Sequence, residues 1–210
     1  MVRILIADDH EVVRFGVRQI LEGRANWEVV AEASDGKEAI AMAIETKPDV
    51  CVVDYSLPLM NGLEVTRQIR TRVPQSEILI FTMYDNEMLV QGLLKAGARG
   101  YLLKADAKSH LIEAIASLAS HRSFFTKGVS DSLLDVFLAG PEKAISAITS
   151  RERSVVQLIA EGHSNKEAAR VLNISLKTVE THRATIMRKL QIASSADLVR
   201  YAIRNKIVEA

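Results

Sequence analysis

The sequence has little of the chemistry that marks secreted or membrane-embedded proteins. It contains one cysteine in 210 residues, so no disulfide can form within a single chain, as expected in a reducing cytosol. No apolar run reaches the roughly 18 residues that a membrane helix requires. The N-terminus begins directly with a strand pattern, so we expect no signal peptide. These absences predict a cytoplasmic protein with no membrane partner, in which Cys51 is an inert buried thiol.

The formal net charge of +1 conceals an uneven distribution of charges. Residues 1–120 carry 13 Lys and Arg against 17 Asp and Glu, whereas residues 149–210 carry 11 against 6. A local excess of positive charge suits a polyanionic partner. A charged helix face is more often only solvated, so this signal is weak by itself.

The first 120 residues alternate short apolar runs with helical periodicity. The pattern predicts strands near 2–7, 27–33, 50–54, 77–82 and 100–104, and helices near 12–22, 36–46, 62–72, 86–96 and 107–119. Continuous apolar runs separated by helices indicate a parallel sheet covered on both faces. The sequence therefore predicts an α/β domain with a doubly wound, five-stranded parallel sheet.

Polar residues follow four of these strands at the point where each strand ends. They are Asp8 and Asp9, Asp54, Thr82 and Lys104. In an open parallel sheet, sites form outside the carboxyl ends of the strands, so these side chains should converge. Carboxylates suit Mg²⁺, and a carboxylate can act as a nucleophile and become an acyl phosphate. A hydroxyl and an ammonium can then stabilise the transferring phosphoryl oxygens.

Beyond residue 120 the pattern changes. Phe124-Phe125 is followed by a short helical stretch over 129–139, which Gly140-Pro141 breaks. Thr149 and Glu152 have the spacing of a capping box, and only helical patterns follow them. We predict domains at 1–120 and 149–210, joined by a linker over 121–148 that contains a short helix.

The pattern over 149–210 predicts an all-α domain of four helices. Ser164 and Glu167 form a second capping-box pair, and Asn173 tolerates the left-handed conformation that a tight turn needs. A helix is predicted over about 176–189, capped by Ser175. Its buried stripe consists of Val179, Ile186 and Leu190.

Residues 1–120 resemble the receiver domain of two-component response regulators. The matching positions are Asp8-Asp9, Asp54 within the segment 52–62, Thr82 and Lys104. The resemblance implies a flavodoxin-like fold with strand order 2-1-3-4-5. It also implies that Asp54 is the phospho-acceptor, that a sensor histidine kinase is the donor, and that Thr82 and Lys104 assist the transfer.

The same resemblance implies the cofactor and a switch residue. Mg²⁺ would be bound by Asp8, Asp9, Asp54 and the backbone carbonyl of Ser56. Tyr101 falls where receivers carry an aromatic residue that turns inward on phosphorylation. Many receivers have a cis proline after the lysine; here Ala105 follows, so a trans bond is predicted.

Residues 149–210 resemble the helix-turn-helix domain of LuxR, NarL and FixJ regulators. The match runs through 149–152, 158–169, 172–175, 178–183 and 186–190. It implies that the helix over 176–189 enters the major groove of double-stranded DNA, with Glu180, Thr181 and Ala184 nearest the base edges. The predicted DNA-contacting residues are Lys166, Lys177, Thr178, Glu180, Thr181, Arg183, Ala184, Arg188 and Lys189.

The last helix shows an apolar face, formed by Leu198, Val199, Ala202 and Ile203. In the resembling family this helix dimerises, although half of such a stripe could equally be domain core. A homodimer would bind two DNA half-sites about one turn apart, and RNA polymerase is a further candidate partner. The sequence leaves open whether the receivers pair through their first and last helices or through the face containing Tyr101.

The best interpretation is a phosphorylation-controlled transcriptional regulator rather than an enzyme, apart from its own phosphorylation from a donor and slow autodephosphorylation. One alternative is a Mg²⁺-dependent phosphatase with Asp54 as its nucleophile. Such hydrolases commonly place an acid two residues later, where this chain has Ser56. The other alternative is a protein-interaction module that is never phosphorylated. Both alternatives predict no sequence-specific DNA binding.

Overall fold

A computed structural model describes residues 1–84, 87–126, 148–205 and 207–208. The chain divides into two compact units, Met1–Ala144 and Ile145–Ala210. The short helix predicted over 129–139 and the break at Gly140-Pro141 lie outside the described residues.

The N-terminal unit alternates strands and helices as predicted, and the bounds agree to within one residue. The strands are β1 Val2–Ala7, β2 Trp27–Ala33, β3 Val50–Val53, β4 Glu77–Thr82, β5 Gly100–Leu103 and β6 Phe124–Phe125. The helices are α1 Glu11–Glu22, α2 Gly36–Thr46, α3 Gly62–Arg72, α4 Glu87–Ala96 and α5 Ala107–Ala119. A single 3₁₀ turn over Lys104–Asp106 joins β5 to α5.

The sheet is parallel, with strand order β2-β1-β3-β4-β5-β6. The first five strands have the predicted order, but the prediction of five strands was wrong. Phe124 and Phe125, which the sequence analysis assigned to the linker, pair in register with Gly100 and Tyr101 of β5. A strand of two residues is too short to show a periodicity, so the sequence pattern did not reveal β6.

Each face of the sheet is covered by helices. Alternate strand residues such as Ile4, Ile6 and Val52 pack with α1 and α5, while Leu5, Val53 and Ile80 pack with α2, α3 and α4. Phe124 contacts the first of these clusters and Phe125 the second, so β6 continues the alternation. Both faces being buried explains why the strands are continuous apolar runs.

Two smaller predictions are also confirmed in this unit. Cys51 is a buried free thiol, and burial raises its pKa to about 12, so it stays protonated at neutral pH. The Lys104–Ala105 bond is trans, as expected for a bond that does not precede proline.

The C-terminal unit is helical over its described residues. Its helices are α6 Ser150–Ala160, α7 Asn165–Leu172, α8 Leu176–Leu190 and α9 Ser195–Arg204. Both predicted capping boxes, Thr149 with Glu152 and Ser164 with Glu167, are present with reciprocal hydrogen bonds. Asn173 has a φ of 52°, so it makes the left-handed turn between α7 and α8.

The core of this unit fixes the direction in which α8 faces. Ala168 and Ala169 of α7 pack against Val179 and Ile186 of α8, which are both fully buried. The opposite side of α8 is therefore left at the surface. Among the helices that the structure describes, none is long and apolar enough to cross a membrane.

Candidate functional site

Three charged side chains meet at the carboxyl ends of β1, β3 and β5. Asp8 follows β1, Asp54 follows β3 and Lys104 follows β5. Lys104 Nζ lies 2.7 Å from Oδ2 of Asp8 and 3.1 Å from Oδ2 of Asp54. The side chains of Asp8 and Asp54 are only 2% and 3% exposed, and that of Lys104 is 10% exposed. The strand-end pattern thus brings together residues far apart in the chain.

Backbone hydrogen bonds hold Asp54 in place. Its N–H donates to the carbonyl of Ala7 at 2.8 Å, which ties the end of β3 to β1. The N–H of Tyr55 donates to Oδ1 of Asp54 at 2.7 Å. The N–H of Gly62, at the start of α3, donates to the carbonyl of Tyr55 at 2.8 Å, which closes the loop after Asp54.

The charges of this cluster set its protonation states. Burial raises the pKa of Asp54 to about 6, Lys104 opposes the rise and Asp8 adds to it. Burial also lowers the pKa of Lys104, but the attraction of Asp54 and Asp8 outweighs burial, so the net pKa is raised. At neutral pH Asp54 is therefore mostly ionised and faces the ammonium of Lys104.

The acidic end of the cluster has the chemistry of a site for a hard cation. One ligand atom from each of Asp8, Asp9 and His10 lies within 4.8 Å of the others. Oδ2 of Asp8 lies 2.7 Å from Lys104 Nζ, and the neighbouring carboxylate of Asp9 is 32% exposed. Two adjacent carboxylates, one of them open to solvent, fit Mg²⁺. Ser56 lies half-buried in the loop after Asp54.

Sequence reasoning missed two neighbours of the acidic pair. Nδ1 of His10 lies 2.8 Å from Oδ1 of Asp9, and the backbone N–H of His10 donates to Oδ1 of Asp8 at 3.0 Å. Nη1 of Arg14 donates to the carbonyl of Asp8 at 2.7 Å. His10 directly follows the pair, so its position was an available signal. Arg14 lies within α1, and no sequence pattern links it to the site.

A chain of contacts leads from Thr82 to the edge strand. Thr82 is fully buried at the end of β4, and its Oγ1 accepts a hydrogen bond from the N–H of Tyr84 at 3.3 Å. The hydroxyl of Tyr101 donates to the carbonyl of Tyr84. Tyr101 is only 1% exposed and so faces inward, and its backbone pairs with Phe125 of β6.

In the C-terminal unit, α8 presents most of the predicted DNA-contacting residues at the surface. Thr178 and Arg183 are half-buried. The exposed residues are Lys166, Lys177, Glu180, Thr181, Ala184, Arg188 and Lys189. The side chains of Lys166, Lys177 and Arg188 form no ion pair or hydrogen bond within the part of the chain that the structure describes.

Two of the predicted DNA-contacting cations already have partners inside the unit. Nζ of Lys189 lies 2.8 and 2.9 Å from the two carboxylate oxygens of Glu152, whose side chain is only 5% exposed. Nη1 of Arg183 donates to Oδ1 of Asn165 at 3.0 Å, and its Nη2 donates to Ser195. These two cations stabilise the packing of α8 against α6, α7 and the start of α9.

Glu152→Gln is expected to destabilise the C-terminal unit by about 1–2 kcal/mol at pH 7, because it removes a charge-assisted pair with Lys189. Burial opposes ionisation of Glu152, but hydrogen bonds from Lys189 and Thr149 outweigh burial and hold its pKa below the usual 4.5. The stabilisation is therefore present above pH 4.5 and is lost as the pH falls through the lower folded pKa. Hydrogen exchange of α6 and α8 peptides at several pH values, corrected for intrinsic rates, measures the effect.

Glu180→Gln is the matched control for this experiment, because the exposed side chain of Glu180 has no partner among the described residues. It should leave the protection of α6 and α8 unchanged. If Glu152→Gln also leaves the protection from hydrogen exchange unchanged at pH 7, or if its deficit does not shrink as the pH is lowered below 4.5, the pairing does not stabilise the unit as described.

The structure separates the four predicted dimerisation residues into two groups. Leu198 and Ala202 are fully buried in the core of the C-terminal unit, so the prediction that they form a free dimerisation face was wrong. Val199 is half-buried and Ile203 is 39% exposed. The dimerisation prediction therefore remains for Val199 and Ile203 only.

Two protein families match this chain. Residues 4–116 match the family described as the response regulator receiver domain. Residues 146–202 match the family described as bacterial regulatory proteins, luxR family.

Similar proteins match over nearly the whole chain. The oxygen regulatory protein NreC of Staphylococcus epidermidis is 38% identical over 216 residues, covering 99% of both chains. The structure of RcsB from Salmonella enterica serovar Typhimurium, bound to the promoter rprA with the phosphomimetic BeF3⁻, is 29% identical with a TM-score of 0.67. That match covers 95% of this chain and 97% of RcsB. A structure of two RcsB dimers bound to two parallel DNAs is 30% identical, with a TM-score of 0.59 and coverages of 95% and 96%.

Proposed function

This chain belongs to the LuxR-type (NarL/FixJ) family of two-component response regulators, and on that premise we propose that phosphorylation of Asp54 controls its binding to DNA. The observation that carries the proposal is the buried cluster in which Lys104 Nζ lies within 3.1 Å of the carboxylates of Asp8 and Asp54. Such a cluster can ionise the acceptor, receive a phosphoryl group and respond to the change in charge.

The proposed reaction uses Asp54 as a nucleophile toward a phosphohistidine of a sensor kinase. A carboxylate oxygen of Asp54 forms a bond to phosphorus as the bond from phosphorus to the histidine nitrogen breaks, and the histidine leaves with that electron pair. Because its pKa is about 6, Asp54 is mostly a carboxylate at neutral pH and needs no separate base. Lys104 then neutralises charge on the phosphoryl oxygens, and the Thr82 hydroxyl donates to one of them.

Mg²⁺ is the proposed cofactor, bound by Asp8, Asp9, Asp54 and the backbone carbonyl of Ser56. When bound, it supplies positive charge that offsets the repulsion between the acidic cluster and an incoming phosphoryl group. The fit rests on the adjacent carboxylates of Asp8 and Asp9, whose ligand atoms lie within 4.8 Å of each other.

The contacts of Thr82 support a route from the acceptor to the linker. A Thr82 hydroxyl drawn toward the phosphoryl group would weaken its bond with the Tyr84 N–H and so shift Tyr84. Tyr101 is hydrogen-bonded to the Tyr84 carbonyl and pairs with Phe125, whose strand leads into the linker. We propose that this shift changes dimerisation or masking of the DNA-binding domain, by moving a pre-existing equilibrium.

The proposed partners are a sensor histidine kinase, a second copy of this chain and double-stranded DNA with two half-sites. The exposed cations of α7 and α8 would contact phosphates, while α8 lies in the major groove. The DNA-bound RcsB dimers are a precedent for this arrangement. RNA polymerase is a further proposed partner. We place the receiver at 1–120, extended by β6, and the DNA-binding domain at 149–210.

The test of this function is selection of binding sites from random duplex DNA by the full chain, with and without Mg²⁺ and beryllofluoride. We expect enrichment of a two-fold symmetric sequence with half-sites about one DNA turn apart, and affinity that falls steeply with salt. The phosphatase and protein-interaction alternatives predict no enriched sequence. Enrichment that is equal with and without the phosphate mimic would contradict control of binding by Asp54.

A further inference from the structure

One row of exposed side chains runs along the surface of α8. Leu176, Glu180 and Ala184 are spaced four residues apart, so they lie one above another on the helix surface, and we name them the α8 row. All three are exposed, and Leu176 is a large apolar side chain with 45% of its surface exposed. Leu176 is not among the residues that form the core of this unit.

The hydroxyl groups next to the α8 row make hydrogen bonds within the helix. The hydroxyl of Thr181 donates to the carbonyl of Lys177 at 2.9 Å. The hydroxyls of Ser175 and Thr178 lie 2.8 Å apart, so one of them donates to the other, and Ser175 Oγ accepts from the Thr178 N–H to cap the helix. Thr181 therefore presents a methyl group and lone pairs to a partner, and the Ser175–Thr178 pair keeps one hydroxyl donor.

The arginine one turn from Glu180 on α8 is engaged within the unit. Arginine recognises guanine by donating two hydrogen bonds to its O6 and N7 atoms. Both terminal nitrogens of Arg183 instead donate within the unit, to Asn165 and Ser195. Arg183 is thus a positioning residue for α8, because two of its five N–H donors hold it against Asn165 and Ser195.

The polar group that remains in the row is a carboxylate, which can only accept hydrogen bonds. The Glu180 side chain forms no ion pair or hydrogen bond with any residue that the structure describes. In the major groove guanine presents only acceptors, which would repel it, whereas cytosine presents its N4 amine as a donor. Thymine presents a C5-methyl group, which apolar side chains contact.

We infer that the α8 row reads pyrimidines, with Glu180 accepting from a cytosine N4 amine and Leu176 contacting the C5-methyl group of a nearby thymine. Ala184 adds a second small apolar surface to the same row. This inference rests on the proposed function, because it needs α8 in the major groove. Lys177 neighbours Leu176, and Arg188 continues the spacing of the row beyond Ala184; both are exposed cations without partners among the described residues, and the inference assigns them to phosphates.

The test uses the full chain and the site enriched from random DNA. Each thymine of one half-site is replaced in turn by deoxyuridine, which removes only the methyl group. We expect one position at which this change weakens binding by the unaltered chain about fourfold, the effect of one buried methyl group. Leu176→Ala should bind the thymine site about as weakly as the unaltered chain binds the deoxyuridine site, and should not distinguish the two.

A second variant tests the cytosine contact. Replacing the contacted cytosine pair should weaken binding by the unaltered chain about 5- to 150-fold. Glu180→Gln should lose this preference and gain adenine at the same position, because an amide can pair with the N6 and N7 atoms of adenine. Lys166→Gln is the matched control, since loss of a phosphate contact should weaken all sites uniformly.

The experiment distinguishes failure of pyrimidine reading by the α8 row from failure of the proposed DNA-binding function. This inference is overturned, and the proposed function stays in place, if guanine is enriched opposite Glu180. The same holds if deoxyuridine weakens binding equally in Leu176→Ala and in the unaltered chain. Absence of any enriched sequence overturns both. Because alanine at the exposed first position of α8 favours helix, circular dichroism of Leu176→Ala should match that of the unaltered chain.

Discussion

Asp54→Asn should abolish phosphorylation of this protein and the response that depends on it. The amide lacks the carboxylate oxygen that must bond to phosphorus, and the neighbouring Asp8 is bound by Lys104 at 2.7 Å rather than placed as a substitute. The expected result is incorporation of phosphate from a small-molecule donor below detection. In size-exclusion chromatography with light scattering, Mg²⁺ and beryllofluoride should shift the unaltered chain from monomer to dimer, and Asp54→Asn should not shift.

Glu45→Gln is a matched control for this variant. It also replaces one carboxylate by an amide, but Glu45 lies exposed on α2 and makes no ion pair or hydrogen bond among the described residues. It should retain both phosphate incorporation and the shift. If Asp54→Asn shifts to a dimer as fully as the unaltered chain, the assignment of Asp54 as the phospho-acceptor is wrong. If the unaltered chain is phosphorylated but does not shift from monomer to dimer, the phosphate releases the DNA-binding domain instead of pairing receivers.

Gly36→Ala should destabilise the N-terminal unit by about 3 kcal/mol. A Cβ atom at Gly36 would lie 2.0 Å from the backbone carbonyl oxygen of Met60, and a backbone atom cannot move aside cheaply. Met60 belongs to the loop that follows Asp54, and the Gly36 N–H donates to the Pro58 carbonyl of that loop at 3.1 Å. The substitution should therefore also displace the acceptor loop and slow phosphorylation.

Urea unfolding followed by the fluorescence of Trp27 measures this effect, because Trp27 is the sole tryptophan and lies in β2. We expect the midpoint to fall by about 1.5 M. Gly16→Ala is the control: it lies inside α1, and nothing would come within 4 Å of its Cβ atom. That variant should gain about 0.5–1 kcal/mol from helix propensity. Equal midpoints for the two variants would refute the steric argument.

The agreement between sequence and structure is best for features whose interacting residues all lie within one short segment of the chain. The strands of the N-terminal unit are buried on both faces, so each is a continuous apolar run that ends at a polar residue. Capping boxes such as Thr149 with Glu152 depend on residues three apart. Asn173 takes the left-handed turn for a reason intrinsic to its side chain. These features involve only neighbours in the chain, and the sequence pattern is enough to predict them.

The differences lie where the contact partner is distant in the chain. Lys189 looks like a surface cation on α8, yet its partner Glu152 is 37 residues away. Leu198 and Val199 are adjacent and equally apolar, but only Leu198 faces the core. The two residues of β6 form a strand because β5 offers them an open edge. No local periodicity encodes these pairings.

For this protein the sequence alone determined the order of the first five strands and of the five helices in the N-terminal unit, the helical C-terminal unit and the set of polar residues at the strand ends. The tertiary structure decided which cations are engaged, which apolar residues are core and which face of α8 is left for a partner. The physical reason is that helix and strand periodicity arises from neighbouring residues, whereas burial and ion pairing depend on segments that meet only after folding.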